Sequence, residues 1–237
     1  MDVSISTTSP SRGRLDALTQ TRLYDLALRL PLALFYLFIL IAKTPGLVRL
    51  AQSLPEQGYP MLPLAQVLAR LAFLMFITLL VGMTLFRRRP VAKTSGIGGR
   101  LVALGGCFLP MLLPLLPHAA ATVEMLLISA ALVMLGNILS LWTLTWLGRS
   151  FSIMPEARRP VTSGPYARVR HPLYACEQLA LVGAMLQYLS PYSLVLYVAQ
   201  LALQLGRMRY EERVLAATFP DYAAYQARTA RLIPGAY

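Results

Sequence analysis

VEMLLISAALVMLGNILSLWTLTWLGRSFSIMPEARRPVTSGPYARVRHPLYACEQLALVGAML, residues 123–186, decides the fold: two apolar runs flank a polar, basic, turn-rich island. The first run, about 122–147, is long enough for a membrane-crossing helix, which needs about 20 mainly apolar residues. In hydrocarbon every backbone polar group must find a partner within the chain, so the run reads as helix. The island 148–170 ends it. Gly164-Pro165 is turn chemistry, because Gly admits positive φ and Pro fixes φ near about −65°. His171-Pro172 opens the next run, with Pro where a first helical turn tolerates it. Donors at such a start lack intrahelical partners. A start lined with Arg170 and His171 suits an anionic or zwitterionic ligand.

The whole chain follows this pattern. Of its 237 residues 57% are hydrophobic and 14% charged, against roughly a quarter charged in soluble domains. The fold class is all-α, a polytopic membrane bundle of about six transmembrane helices with a C-terminal amphipathic helix. The net charge of +12 does not point to nucleic acid: the cations cluster between apolar runs and no base-stacking motif accompanies them. Cys107 and Cys176 fall in apolar runs with no metal-ligand spacing, so they read as small buried hydrophobes, with no metal site or disulfide. The polar first twenty residues and the late first apolar run argue against a cleavable signal peptide.

In order, residues 1–22 read as a flexible tail and 23–147 as four transmembrane helices, at about 24–42, 62–86, 101–117 and 122–147. Pro45, Gly46, Pro55, Gly58 and Pro60 mark the first connection, and Pro110, Pro114 and Pro117 break the third span. Arg70, inside the second span, is expected to snorkel toward the nearer surface. Gly96-Ile97-Gly98-Gly99 lacks the context of a dinucleotide fingerprint. Residues 148–237 form a third unit: the island, a tight hairpin of spans at about 172–189 and 192–207 joined by Ser190-Pro191, and an amphipathic helix at 208–230. Arg12, Arg14 and Arg22, Arg87 to Arg89, Arg149 to Arg170, and Arg207 to Arg231 fall on one side of this topology, with only Lys43 and Arg49 opposite. Both termini and the island are thereby expected on the cytosolic side.

Gln200, Gln204, Arg207 and Glu211 recur at i, i+4, i+7 and i+11, one face of one helix. Such a stripe is costly in lipid and must face protein or a wet cavity. His171, Tyr174 and Gln178 share a face of the fifth span, with Glu177 beside it. Glu177 has two readings, an ion-pair partner for an arginine such as Arg207 or a base toward a substrate proton. Asn137 and Ser140 read as interhelical hydrogen-bonding residues, and Trp142 and Trp146 as interface anchors.

Val161 to Tyr166, Arg170-His171-Pro172-Leu173-Tyr174, Glu211-Glu212-Arg213-Val214-Leu215, Phe219, Tyr222, Tyr225 and Ile233-Pro234 together resemble the isoprenylcysteine carboxyl methyltransferase family and related membrane methyltransferases. The resemblance covers roughly 148–237. It implies S-adenosylmethionine held at the cytosolic side, with cofactor contacts at Arg158, Arg159, Pro160, Val161, Tyr166, Arg170, His171, Pro172, Leu173, Tyr174, Glu211 and Glu212. It implies a substrate-orienting, catalytic role for Arg207, beside Gln204 on the same stripe. The partners implied are membrane lipids and a lipophilic or prenylated acceptor from the bilayer, without metal or nucleic acid. A carboxylate acceptor needs no base, whereas an amine or thiol needs one, for which Glu177 and Glu212 are the candidates. Cys176 stands where the family usually has Gly. Glu177 and the Ile233-Pro234-Gly235 ending also resemble the NADPH-binding region of membrane sterol and steroid reductases, the main alternative. A non-catalytic membrane sensor or assembly protein is a further one.

Overall fold

The computed structural model describes residues 22–88, 90–93 and 97–235. The expected tail therefore lies outside the described residues as far as Thr21. Helix α1 is Arg22–Ser53, α2 Met61–Phe86 and α3 Ile97–Phe108, the last prolonged by a tighter 3₁₀ segment, Leu109–Leu115. Helix α4 is Val123–Leu147, α5 Pro172–Leu186, α6 Pro191–Thr218 and α7 Tyr222–Arg228. Two residue pairs form a small antiparallel ladder between β1 (Ala92–Lys93) and β2 (Glu156–Ala157). Among the described residues, Arg29–Ser53, Met61–Phe86, Ile97–Leu115 and Val123–Ser150 are long and apolar enough to cross a membrane.

Three sequence expectations change. First, α1 does not stop near residue 42 but runs through Pro45 to Ser53. Pro removes one ladder donor, yet bundled helices tolerate this when side chains join the ladder. Around this turn Thr44 Oγ1 donates to Leu40 O at 2.7 Å, and Arg70 Nη1 of α2 donates to Gly46 O at 3.2 Å, so side chains join the ladder on either side of the proline. Second, there is no break near residue 207. Helix α6 is continuous for 28 residues, and the separate C-terminal helix shrinks to the seven residues of α7. Third, α5 and α6 are joined tightly, with Ser190 and Ser193 forming a reciprocal N-terminal cap, but α5 packs mainly on α4.

The reason lies in two glycines. A Cβ on Gly136 would stand 2.5 Å from Ala180 N, and one on Gly183 would stand 2.9 Å from Ser129 O. Close backbone approach through small residues is how helices associate where the solvent is as apolar as their side chains. Gln187 Nε2 adds a bond to Ser129 Oγ at 2.7 Å. Asn137, expected to bridge helices, instead donates to Val133 O of its own helix at 2.8 Å.

The basic connections gather at one end of the bundle. Arg88 N–H donates to Arg149 O, Val91 N–H to Ala157 O, and Arg158 Nε to Arg88 O. Arg29 Nη1 donates to Leu85 O, which brings the start of α1 to the same end. The C-terminal segment arrives there too: Arg170 and His171 N–H donate to Ala230 O and Arg231 O. Beneath this end, Tyr36, Ile77, Leu80, Leu144, Phe151, Ile153 and Leu173 form one buried apolar cluster.

Candidate functional site

The island forms the roof of a polar cavity of about 770 Å³ including its mouth. Gly164 makes the island's turn possible. Its φ is +60°, and a Cβ there would lie 2.5 Å from the indole of Trp146, so both conformation and space exclude a side chain. Arg158, Arg159, Pro160, Val161, Tyr166, Arg170, His171, Leu173, Tyr174 and Glu211 all line this one cavity. Of the residues expected at the cofactor, only Pro172 and Glu212 do not.

Glu212 stands behind the wall, 3% exposed. Its Oε1 receives Arg170 Nε at 2.8 Å and lies 3.1 Å from His171 Nε2. Its Oε2 receives Arg231 Nη2 at 2.8 Å and Gln226 Nε2 at 3.2 Å. Burial acts to raise its carboxyl pKa, but the hydrogen bonds from His171, Arg231 and Arg170 prevail and hold it well below the carboxylate range. Glu212 thus fixes Arg170 and His171, and His171 stacks on Tyr174 at 5.4 Å between ring centres.

Several polar groups on this cavity have capacity to spare. Arg158 is tied by Nη2 to Glu156 and by Nε to Arg88 O, while its Nη1 is buried without a partner. Tyr166 OH is likewise buried and unpartnered. Burial first, then the charges of Glu177 and Glu211, push its pKa far up, so the hydroxyl keeps its proton as a donor. At the α5 start Pro172 has no N–H, and the Leu173 and Tyr174 amides take no backbone partner in the preceding chain. Phe151, Glu156, Tyr222 and Tyr225 also line the cavity. The sequence reading did not place Phe151 and Glu156, whose only signal was their position in the island.

A second cavity, about 1190 Å³ with its opening, lies deeper among the apolar helices. Phe35, Phe73, Phe76, Ile77, Pro110 and Met111 are among its apolar lining, and Glu177, Gln178, Gln200, Gln204 and Arg207 lie at its polar end. The stripe on α6 therefore faces protein and cavity, as its spacing requires: Gln200, Gln204 and Arg207 are all buried. Asn137 and Ser140 line this cavity too.

The partition between the cavities is built from the expected residues. Arg207 Nε donates to Glu211 Oε1 at 3.1 Å, Tyr174 OH donates to the same oxygen at 2.6 Å, and the guanidinium lies 4.8 Å over the Tyr174 ring. Arg207 also donates to Cys107 Sγ and Ser152 O. It belongs to the apolar cavity while Tyr174 and Glu211 belong to the polar one, and Phe151 borders both. Glu177 is not paired with Arg207; it accepts from Gln204 Nε2 at 3.3 Å. Among the described residues no group of three or more His, Cys, Asp or Glu side chains is placed to hold a metal ion.

Residues 125–222, which hold both the island and the α6 stripe, match the family model of phospholipid methyltransferases. Across that region the chain resembles membrane methyltransferases. It is 42% identical over 76 residues to the cobalt-zinc-cadmium resistance protein CzcN of Cupriavidus metallidurans, covering 31% of this chain and 35% of that protein. It is 33% identical over 113 residues to the nickel-cobalt-cadmium resistance protein NccN of Alcaligenes xylosoxydans xylosoxydans, covering 45% of this chain and 52% of that protein. The chain thus spans between about a third and about half the length of these relatives.

Proposed function

We propose that the chain is an integral-membrane methyltransferase that uses S-adenosylmethionine and a lipophilic acceptor. The observation that carries this reading is the pair of cavities, one polar and one apolar, sharing the Arg207–Glu211–Tyr174 partition. Two substrates of opposite solubility, one from water and one from the bilayer, need this arrangement.

The residues of the polar cavity suit the cofactor. Arg158 Nη1, Tyr166 OH and the amides at the α5 start offer donors to a carboxylate or to ribose and adenine acceptors. Glu211 offers an acceptor to amino or hydroxyl donors. S-adenosylmethionine supplies a methyl sulfonium, already a strong electrophile, so the protein's task is alignment and exclusion of water. Phe151, Tyr174 and the Arg207–Glu211 pair stand where the two substrates meet. Arg207, held on its several bonds, gives that meeting point a fixed geometry and directs the acceptor. Arg170 and His171 shape the cavity under the control of Glu212.

The family match favours methyl transfer over hydride transfer from NADPH. The gathering of basic connections at one end supports a cytosolic position for the polar cavity. Four long apolar segments together with α5 and α6 support a six-helix bundle. At 15 residues α5 rises only about 22 Å, short of the roughly 30 Å of hydrocarbon, so it spans only where the polar end of the protein dips into the bilayer.

Mass spectrometry of lipid extracts from cells with and without the protein tests the reading. A lipid species heavier by one methylene, appearing with the wild-type chain and absent with Glu211→Ala, is expected. Identical lipid profiles with the wild-type chain and with none would contradict it.

A further inference from the structure

Arg70 lies inside a membrane-crossing helix, and neither substrate cavity uses it. It stands nine residues, about 14 Å, from the start of α2 at Met61. Its guanidinium is anchored short of the end of the bundle: Nη1 donates to Gly46 O at 3.2 Å, seven residues before α1 ends at Ser53. That bond uses one of the five donors a guanidinium carries. Among the described residues Arg70 makes no other hydrogen bond and pairs with no carboxylate. A cation at this depth is costly unless something compensates it.

A third cavity, about 580 Å³ with its mouth, opens beside Arg70 among α2, α4 and the end of α5. Gln66, at i−4 from Arg70 on the same face of α2, lines it too and makes no hydrogen bond among the described residues. Gln187, the C-cap of α5, joins them from another helix and is fixed by its bond to Ser129. Leu126, Ala130 and Val133 of α4 are among the apolar lining. Glu124, in the first turn of α4, is engaged with its own amide and the Thr122 hydroxyl at the helix start. A guanidinium fork with donors to spare and an amide one turn away matches the oxygens of a phosphate group. The apolar lining suits the hydrocarbon that a lipid phosphate carries. This cavity meets the far end of α5, whose start holds His171. Its occupant is therefore about 22 Å, the rise of α5, from the polar cavity, too far to take the methyl group.

We propose that this cavity binds the phosphate head of an anionic lipid from the leaflet opposite the polar cavity, with Arg70 as the main contact and Gln66 as the second. The lipid is held, not methylated. It supplies the counter-charge that Arg70 lacks and ties α2 to α4 and α5 at the sparsely charged end of the bundle.

The test is native mass spectrometry of the full chain in detergent with dioleoyl phosphatidylglycerol, dioleoyl phosphatidylcholine or inorganic phosphate. The wild type retains phosphatidylglycerol at least about tenfold more tightly than Arg70→Gln does, and more tightly than it retains phosphatidylcholine. Lipid held at the basic end is common to both proteins and cancels in the comparison. Arg70→Lys, which keeps the charge and loses the fork, falls between the two. Gln66→Ala, which leaves the Arg70–Gly46 bond in place, weakens retention by a smaller factor. Phosphatidylglycerol raises the melting midpoint of the wild type more than that of Arg70→Gln. Calorimetric affinity for S-adenosylmethionine is the same in all four proteins, so the result is independent of the methyltransferase reading. Equal retention of phosphatidylglycerol by the wild type, Arg70→Gln and Gln66→Ala overturns the site. A midpoint shift from inorganic phosphate as large as that from phosphatidylglycerol overturns the lipid as its occupant.

Discussion

Glu212 shows how a single buried carboxylate can organise a site it does not enter. Two arginines, a histidine and a glutamine converge on its two oxygens. Removing one partner from a buried charge cluster leaves the others uncompensated, at about 3–5 kcal/mol. Glu212→Ala should therefore lower the thermal midpoint in detergent sharply and weaken cofactor binding, although it touches no cofactor. The sign of its pH dependence follows from the depressed carboxyl. The ionised form contributes stability above the ordinary carboxylate range, and that contribution is lost as pH falls through the range toward the folded value. Melting midpoints between about pH 6 and about pH 3 should fall more steeply for the wild type than for Glu212→Gln. At Gly164 positive φ and the Trp146 indole act together, so Gly164→Ala should cost about 1–3 kcal/mol, read as a lower midpoint in the same melts.

At the scale of elements, the crossing of α4 and α5 depends on Gly136 and Gly183. Gly136→Leu should push α5 off α4, destabilise by about 1–3 kcal/mol or more, and displace His171 and Tyr174 at the α5 start. Melts together with ligand-binding assays would show both effects at once. Long apolar runs made the spans 62–86, 101–117 and 122–147 legible, because lipid leaves little choice but helix. Pro45 obscured the true end of α1, since proline ordinarily breaks a helix and the Arg70 bond that meets this turn comes from a different helix. The charges from Arg207 onward suggested a break in α6; Arg207 is instead buried against α3 and the island, and the helix runs on to Thr218. Most of the polar cavity was legible because its residues fall in the motifs at 158–174 and 211–215, which the family resemblance ties to one cofactor. The Glu212 cluster was not, because it joins residues 170, 171, 226 and 231, whose proximity only the tertiary fold decides. The apolar cavity was hidden for the same reason: Phe35, Phe73 and Cys107 look like any lipid-facing residue until α1, α2 and α3 are placed together.

The molecule as a whole has one basic end and one sparsely charged end, with the two cavities stacked beneath the basic end. Arg168 and Arg228 are exposed at that end, and Gln57 and His118 lie in connections at the other. Single cysteines at the first two positions should react with a membrane-impermeant thiol reagent from the cytosolic side only, and those at the latter two from the opposite side only. Labelling of Arg168→Cys and Gln57→Cys from the same side would break the topology. Titration calorimetry on the purified chain decides whether the cavity under the island holds S-adenosylmethionine. Saturable binding of S-adenosylmethionine in preference to NADPH is expected, weakened at least about tenfold, or about 1.4 kcal/mol, by both His171→Ala and Glu211→Ala. Preferential binding of NADPH, or wild-type affinity in both variants, would contradict it.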